Sequence, residues 1–156
     1  MKILVISDTH GRLEKAQELI EKKGPFDLVV HLGDLEEDAR ILARRTGAQI
    51  RCVKGNMDGG TREDAQVLST SFGDILLVHG HIQGVKNGLM NIVYAAGEKN
   101  CRAVFFGHTH VPLLEESQGI YLLNPGSLTL PHLTDRGSYA IVEIEKEQMH
   151  ASILYV

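Results

Sequence analysis

Five short polar clusters, four of them placed directly after an apolar run, are the feature that most limits how this chain can fold. The clusters are Asp8-Thr9-His10, Gly33-Asp34, Gly55-Asn56-Met57-Asp58, His79-Gly80-His81 and Gly107-His108-Thr109-His110. The apolar runs, residues 3–6, 28–30, 75–78 and 103–106, are typical of buried strands. Because strand ends on one edge of a sheet converge in space, clusters that are distant in sequence can meet at that edge.

The remaining pattern predicts an α/β chain in which alternating strands and helices give way to hairpins. Helices are expected at about 12–23, 36–45 and 87–98. The first hairpin is expected to join strands 67–72 and 75–78 around Gly73-Asp74. Further strands are expected at 50–53, 113–114, 120–123, 139–144 and 151–155. This order favours two packed sheets with helices outside, formed by residues 1–156 as one domain.

Composition and charge narrow the class of protein. The chain has 156 residues and a net charge of −4, and its Lys and Arg form no basic run, which argues against a nucleic-acid-coating surface. No apolar stretch approaches the ~18 residues that a membrane span needs. The N-terminus runs directly into a strand, which leaves no room for a signal peptide. Cys52 and Cys101 are expected to be reduced, buried and structural, so we expect a cytoplasmic protein.

The polar clusters supply carboxylate, imidazole and amide groups, which are ligands of hard or borderline divalent metals, and no thiolate. Two cations about 3.5–4 Å apart need a bridging ligand between them, and Asp34 is our choice for that ligand. The other candidate ligands are Asp8, His10, Asn56, His79, His108 and His110. Gly107 would permit a close approach of the backbone. Each cluster alone is a common turn signal, but five such junctions in one chain indicate a metal site.

The ordered set of motifs, Asp-X-His, Gly-Asp, Gly-Asn-X-Asp, His and Gly-His-X-His, resembles that of the calcineurin-like metallophosphoesterase family. The tail at 124–127, whose Asn124 and Ser127 would anchor the rim of the site, resembles the YfcE-like phosphodiesterase branch. The resemblance implies a four-layer α/β/β/α sandwich of two mixed sheets flanked by helices, with two metals at the strand ends. It assigns Asp8, His10, Asp34 and His110 to one metal, and Asp34, Asn56, His79 and His108 to the other. Mn²⁺ or Fe is the usual occupant in that family, and such ligands also accept Ni, Zn or Mg.

One position departs from the family's pattern. The fuller motif is Gly-Asn-His-Asp/Glu, whose His is thought to protonate the leaving group, whereas this chain has Met57, which cannot transfer a proton. His81 could compensate if it faces the substrate; the alternative is a supporting or surface histidine. Asp58 is a candidate for holding a ligand histidine by its free ring N–H; the alternative is a turn carboxylate. His31 is expected to be a strand-end histidine satisfied by backbone groups; the alternative is a histidine that supports the metal ligands from behind.

Together these expectations indicate a metal-dependent phosphoesterase that acts on small-molecule phosphodiesters or activated monoesters. A metal-activated water would attack phosphorus in line, and Asn56 and His79 would orient the substrate as well as bind metal. The alternative is a non-catalytic, protein-binding scaffold like the retromer subunit Vps29, which resembles the same branch. Such a scaffold is expected to lose metal ligands, and all seven are present here. A nuclease is disfavoured because there is no basic groove signal or aromatic platform. The physiological substrate and the oligomeric state, a homo-oligomer included, stay open.

Overall fold

Two five-stranded sheets and three helices make up the part of the chain that the computed structural model describes, residues 1–59 and 63–156. The strands are β1 (Lys2–Ile6), β2 (Leu28–His31), β3 (Ile50–Cys52), β4 (Ala65–Ser69), β5 (Asp74–Val78), β6 (Ala103–Phe105), β7 (Leu113–Ser117), β8 (Ile120–Asn124), β9 (Ser138–Glu145) and β10 (Gln148–Tyr155). The helices are α1 (Glu14–Lys23), α2 (Glu36–Thr46) and α3 (Met90–Glu98).

Both sheets are mixed, and each contains three parallel strands. The first sheet has the order β10-β9-β1-β2-β3, in which β1, β2 and β3 are parallel and the β9–β10 hairpin adds two antiparallel strands. The second has the order β4-β5-β6-β8-β7, in which β5, β6 and β8 are parallel and the two edge strands are antiparallel. The five polar clusters follow the carboxyl ends of β1, β2, β3, β5 and β6.

The central strands β1, β2, β5 and β6 carry unbroken apolar runs because both faces of each sheet are covered there. Along β1, Ile3 and Val5 pack between the two sheets, whereas Leu4 and Ile6 face the helices. The same split occurs along β5, where alternate residues enter the central core and the outer core next to α3. The period of two along a strand thus divides one apolar run between two cores.

The helices pack on the outer faces of the sheets and complete four layers. Ala16 and Leu19 of α1 and Leu42 of α2 join the core outside the first sheet. Ile92 and Ala96 of α3 join the core outside the second sheet. The predicted α/β/β/α sandwich of two mixed sheets is therefore confirmed.

Several predicted boundaries differ from the structure by a few residues, and turns explain the two described here. The third helix was expected from about 87 but begins at Met90, because residues 81–87 form successive turns and Gly88 has a φ of +146°. The strand expected at 67–72 is Ala65–Ser69. Its turn comes earlier than Gly73-Asp74, since the Gly73 N–H donates to the Thr70 carbonyl at 3.1 Å and the Thr70 hydroxyl donates to the Gly73 carbonyl at 2.7 Å.

The helices of the described ranges are all too short or too polar to cross a membrane. Cys52 and Cys101 are buried thiols, in agreement with the sequence-based expectation.

Candidate metal centre

The loops that follow the parallel strands bring the predicted ligands together in two clusters of three. The first group consists of Asp8, His10 and His110, and the second group of Asp34, His79 and His108. Within each group the ligand atoms lie within 4.8 Å of one another. The exposed side chain of Asn56 adjoins the second group, with its Oδ1 3.1 Å from His79 Nε2. All seven predicted side chains therefore lie at one edge of the two sheets.

Buried polar atoms without hydrogen-bond partners mark the first group. Asp8 Oδ1 lies 3.2 Å from His110 Nε2 and 4.0 Å from His10 Nε2. Among the described residues, neither Asp8 Oδ1 nor His10 Nε2 has a hydrogen-bond partner, although both atoms are buried. The short approach to His110 is therefore an ion-pair contact rather than a directed hydrogen bond. Such orphaned polar atoms are rare in protein interiors, and a cation would satisfy them.

The rest of the first group is held by backbone contacts. Asp8 Oδ2 accepts hydrogen bonds from the Ser7 hydroxyl and, at 3.1 Å, from the His108 N–H. His110 Nδ1 donates to the Leu130 carbonyl at 2.7 Å, which leaves Nε2 to face the site. Gly107 allows this approach, as expected, because a Cβ there would overlap Ser7 Oγ.

One short hydrogen bond orients the His79 ring of the second group. His79 is fully buried, and its Nδ1 donates to the Leu32 carbonyl at 2.7 Å. Because a carbonyl only accepts, Nε2 of the neutral ring carries the lone pair. That atom lies 3.2 Å from His108 Nδ1 and 3.4 Å from Asp34 Oδ1. The ring is thus fixed in the tautomer that a metal ligand requires.

Asp34 lies between the two groups. Its Oδ1 faces His79 at 3.4 Å, and its Oδ2 lies 4.0 Å from His10 Nε2. Oδ1 also accepts a hydrogen bond from the Met57 N–H at 3.1 Å. A Cβ on Gly55 would overlap this same oxygen, so glycine is required there. One carboxylate that faces both groups has the placement of a bridging ligand.

Most of the seven side chains are aimed by left-handed backbone rather than by the pleat of a strand. Positive φ values occur at Asp8 (53°), His10 (47°), Asp34 (57°), His108 (67°) and His110 (59°). Such conformations are strained for residues other than glycine, at about 1–3 kcal/mol each, and cluster at functional sites. The ligands two residues apart therefore converge through tight turns and not as a continuation of the strand.

The protonation states of the two groups differ. The close contact with the Asp8 carboxylate raises the pKa of His110 above its ordinary value. Burial, helped by the nearby His79 and Lys86, lowers the pKa of His108 to about 4. Burial opposes ionisation of Asp8, but contacts with His110, His79 and Ser7 outweigh it and lower the pKa of that carboxyl.

Asp58 and His81 lie beside the centre, and their contacts differ from each other. The Asp58 carboxylate does not hold a histidine, because it accepts hydrogen bonds from the N–H groups of Glu36 at 2.7 Å and Gly55 at 2.8 Å. It therefore ties the Asn56 loop to the start of α2. The ring of His81 lies 5.3 Å from that of His79, and its buried Nδ1 has no hydrogen-bond partner in the described ranges. Burial lowers the pKa of His81.

A buried polar chain behind the first group was missed by sequence reasoning. The Gly33 N–H donates to His31 Nδ1 at 3.3 Å, so Nε2 carries the proton and donates to the Thr9 hydroxyl at 2.9 Å. That hydroxyl donates to Asp38, which also accepts the Gly11 N–H at 2.7 Å. Backbone thus satisfies only one of the His31 nitrogens. Asp38 had no sequence signal beyond the acidic first turn of α2.

The tail at 124–127 anchors the ligand loops, as expected. The Ser127 hydroxyl donates to the Asp8 carbonyl at 2.9 Å, and the Asn124 amide donates to the Gly107 carbonyl at 3.0 Å. Both side chains are fully buried. They fix the backbone on either side of the centre.

Comparison with known proteins agrees with this geometry. Residues 1–147 match the family model described as a calcineurin-like phosphoesterase superfamily domain. The protein named "Probable metallophosphoesterase YsnB" from Bacillus subtilis is 37% identical over 149 residues, which cover 94% of this chain and 86% of that protein. The phosphodiesterase YfcE of Escherichia coli K12 is 28% identical over 170 residues, covering 92% of this chain and 88% of YfcE.

Solved structures share the fold. A Streptococcus pneumoniae protein described as a predicted phosphoesterase is 31% identical, with a TM-score of 0.84 and coverage of 99% of this chain and 88% of that one. Vps29 of Entamoeba histolytica in complex with Zn²⁺ is 23% identical, with a TM-score of 0.78 and coverage of 100% and 98%. The second similarity is one of fold alone.

Proposed function

The chain belongs to the calcineurin-like phosphoesterase superfamily, and on that premise we propose that it is a metal-dependent phosphodiesterase that hydrolyses small-molecule phosphoesters at a dinuclear centre. The observation that carries the proposal is the convergence of two ligand groups on either side of Asp34. Oxygen and nitrogen donors without thiolate suit divalent ions such as Mn²⁺, which is our choice, and also Fe, Ni, Zn or Mg.

The proposed ligands divide as the two groups do. Asp8, His10, Asp34 and His110 would hold one ion, and Asp34, Asn56, His79 and His108 would hold the other. When bound, the ions would lower the pKa of a water and neutralise charge on the phosphoryl oxygens. The hydrogen bond from His79 Nδ1 to the Leu32 carbonyl keeps the ring fixed through the reaction.

Four residues, Asn56, His79, His81 and Asp58, would act on the substrate or on the groups that touch it. Asn56 is exposed at the mouth of the centre, so its amide would orient a phosphoryl oxygen together with His79. His81 would hydrogen-bond the leaving oxygen through a ring N–H without protonating it, because its lowered pKa leaves the ring neutral near pH 7. Asp58 would act indirectly, by fixing the Asn56 loop through the Gly55 N–H.

The decisive experiment is metal-dependent turnover of bis(p-nitrophenyl) phosphate. Chelation should abolish activity and Mn²⁺ should restore it, because the nucleophile depends on the ions. The metal content of the purified protein should be measured on the same sample. Full turnover in excess EDTA would refute the proposal.

The Vps29-like scaffold is the alternative function. Retention of the seven side chains does not separate the two functions, because a Vps29 of Entamoeba histolytica was solved as a Zn²⁺ complex. The named relatives YsnB and YfcE support the enzyme. Turnover, rather than metal content, therefore decides between them.

We further propose that residues 1–156 form one domain located in the cytoplasm, with no nucleic-acid partner. The family model spans residues 1–147, and β10 pairs with β9 along its whole length. Buried thiols at Cys52 and Cys101 fit a reducing compartment. The net charge of −4 does not favour binding to a phosphate backbone.

A further inference from the structure

An apolar cavity opens beside the metal centre. It has a volume of about 480 Å³. Its apolar lining comes from Val85, Leu89, Phe106, Val111, Leu113 and Leu133. These residues come from the loops after β5, β6 and β8 and from the start of β7, at the same edge of the sheets as the ligands. Cavities of this size hold small molecules.

The cavity is continuous with the ligand loop. Thr109, which lies between His108 and His110 in sequence, is part of its wall. The Val111 N–H donates to the Thr109 hydroxyl at 3.2 Å, and the His132 N–H donates to the His110 carbonyl at 3.2 Å. The cavity therefore lies against the loop that carries two of the proposed ligands.

Charge on the cavity wall matches an anionic substrate. Lys86 lines the cavity and is exposed. It shares the cavity wall with Thr109, which lies between His108 and His110 on the ligand loop. An ammonium group beside both the ligand loop and an apolar lining suits an ester with a charged phosphoryl end and an apolar substituent.

An exposed apolar side chain on the cavity wall gives a second reason to expect an apolar occupant. Leu133 is 80% exposed, although it lies on the wall of the cavity. Covering such apolar surface is favourable. A substrate whose substituent contacts this wall would gain that energy.

We propose that this cavity is the binding site for an alkyl or aryl ester group of the phosphodiester substrate. The proposal rests on the phosphodiesterase function proposed above. The phosphoryl group lies at the ligand groups, Lys86 pairs with one of its oxygens, and the apolar substituent occupies the space bounded by Phe106, Val111 and Leu133.

Binding of alkylphosphonates tests the cavity separately from catalysis. The series runs from methyl to hexyl, and dissociation constants are measured by calorimetry on Mn²⁺-loaded and on EDTA-treated protein. Affinity should rise by roughly three- to fourfold for each methylene that is fully buried. Turnover of alkyl p-nitrophenyl phosphates with the same alkyl groups is measured in parallel, so that the leaving group stays constant.

Two variants separate the apolar wall from the charge. Leu133→Asp should flatten the dependence on chain length, because it places a carboxylate on the cavity wall. Lys86→Ala should weaken every member of the series by a similar factor, because it removes the pairing with the headgroup. Leu114→Asp and Lys99→Ala are the matched controls, since both residues are exposed and lie outside the cavity wall. The control variants should keep the wild-type dependence.

The outcomes distinguish this proposal from the phosphodiesterase function. Chain-length-dependent binding that Leu133→Asp abolishes supports the cavity site, even if no ester is turned over. Turnover with an affinity that ignores chain length overturns the cavity site and leaves the phosphodiesterase function standing. A chain-length dependence that survives Leu133→Asp but is lost in Leu114→Asp also overturns it.

Discussion

The two ligand groups resemble each other in composition, but the pKa of His110 in the first group and that of His108 in the second are shifted in opposite directions. In the first group, Asp8 and His110 already form an ion pair at 3.2 Å, and that contact raises the pKa of His110. In the second group, the ring of His108 is neutral above about pH 4 because burial disfavours its charged form. To bind a metal ion, the first group would therefore have to release the His110 proton, whereas His108 in the second group is already neutral.

Asp34 lies between these two ligand groups. Each of its oxygens faces a different group, and a Cβ on Gly55 would overlap one of them. Its two oxygens set the distance between the groups. Substitution of Asp34, and of the residues that hold each group in place, can therefore test how far the two groups depend on one another.

The largest effect is expected from Asp34→Asn. The change removes the charge that would offset two cations, so turnover should fall by about 10⁴-fold or more. Bound metal, measured by inductively coupled plasma mass spectrometry, should fall from two ions towards one or none. Asp135→Asn, at an exposed carboxylate away from the centre, is the control and should keep both. Wild-type rates with two metals bound to Asp34→Asn would refute the bridging assignment.

Met57 is the next test, because it follows Asn56 on the loop beside the second group. Its backbone holds Asp34, but its side chain is 62% exposed, so a polar ring there should not disturb folding. Met57→His should restore a leaving-group acid and raise kcat/KM for alkyl phosphoesters by roughly 10²-fold or more. p-Nitrophenyl esters should change little, since their leaving group hardly needs a proton.

The measurement for Met57→His is kcat/KM across a series of leaving groups. The slope against leaving-group pKa should become shallower in the variant. An unchanged slope, in a variant that folds and binds both metals, would show that position 57 takes no part in acid chemistry. Met57→Gln is the matched control, because it adds polarity without a proton donor of suitable pKa.

The buried core and the metal centre differ in how much of each could be predicted from the sequence. The strands could be predicted because burial on both faces makes runs such as Ile3–Ile6 apolar throughout. The convergence of the seven side chains could be predicted because their clusters follow strands whose carboxyl ends meet at one edge. Both inferences use only spacing and residue type.

The supports behind the centre depend on contacts that spacing does not encode. Asp38 lies in the first turn of an ordinary helix, and only the fold brings it to Thr9 and Gly11. Asp58 was expected to hold a histidine, but the turn of its loop directs it to two backbone N–H groups. The left-handed backbone at five of the ligands was equally hard to predict, because Asp and His, although enriched in that conformation, adopt it in only a minority of cases.

Asp38 and Asp58 give a paired test of the two halves. Asp38→Asn weakens the chain through Thr9 that holds the first group, so the affinity for one metal should fall by about 10- to 100-fold. Asp58→Asn loosens the Gly55 loop and should weaken the other metal by a similar factor. Stepwise calorimetric titration with Mn²⁺ resolves the two sites. Identical effects of both variants on the same site would contradict the division into two groups.

The smallest effect is expected in the pH dependence of metal binding, which tests the difference between the two ligand groups most directly. The raised pKa of His110 means that its ring is protonated below that pKa, and an imidazolium cannot bind a metal. Affinity of the first group should therefore rise by about tenfold per pH unit up to the pKa of His110, which lies above 6.5, and then level off. His108, with a pKa of about 4, adds no pH dependence near neutrality, and the lowered pKa of Asp8 keeps that carboxylate ionised throughout.

Calorimetry between pH 5.5 and 8 should show one site that weakens on acidification, with about one proton released per metal bound, and one that hardly changes. His110→Gln should remove the part of the slope and of the proton release that His110 contributes, because an amide does not titrate. Equal slopes at the two sites in the wild-type protein would show that the Asp8–His110 pair does not set them apart.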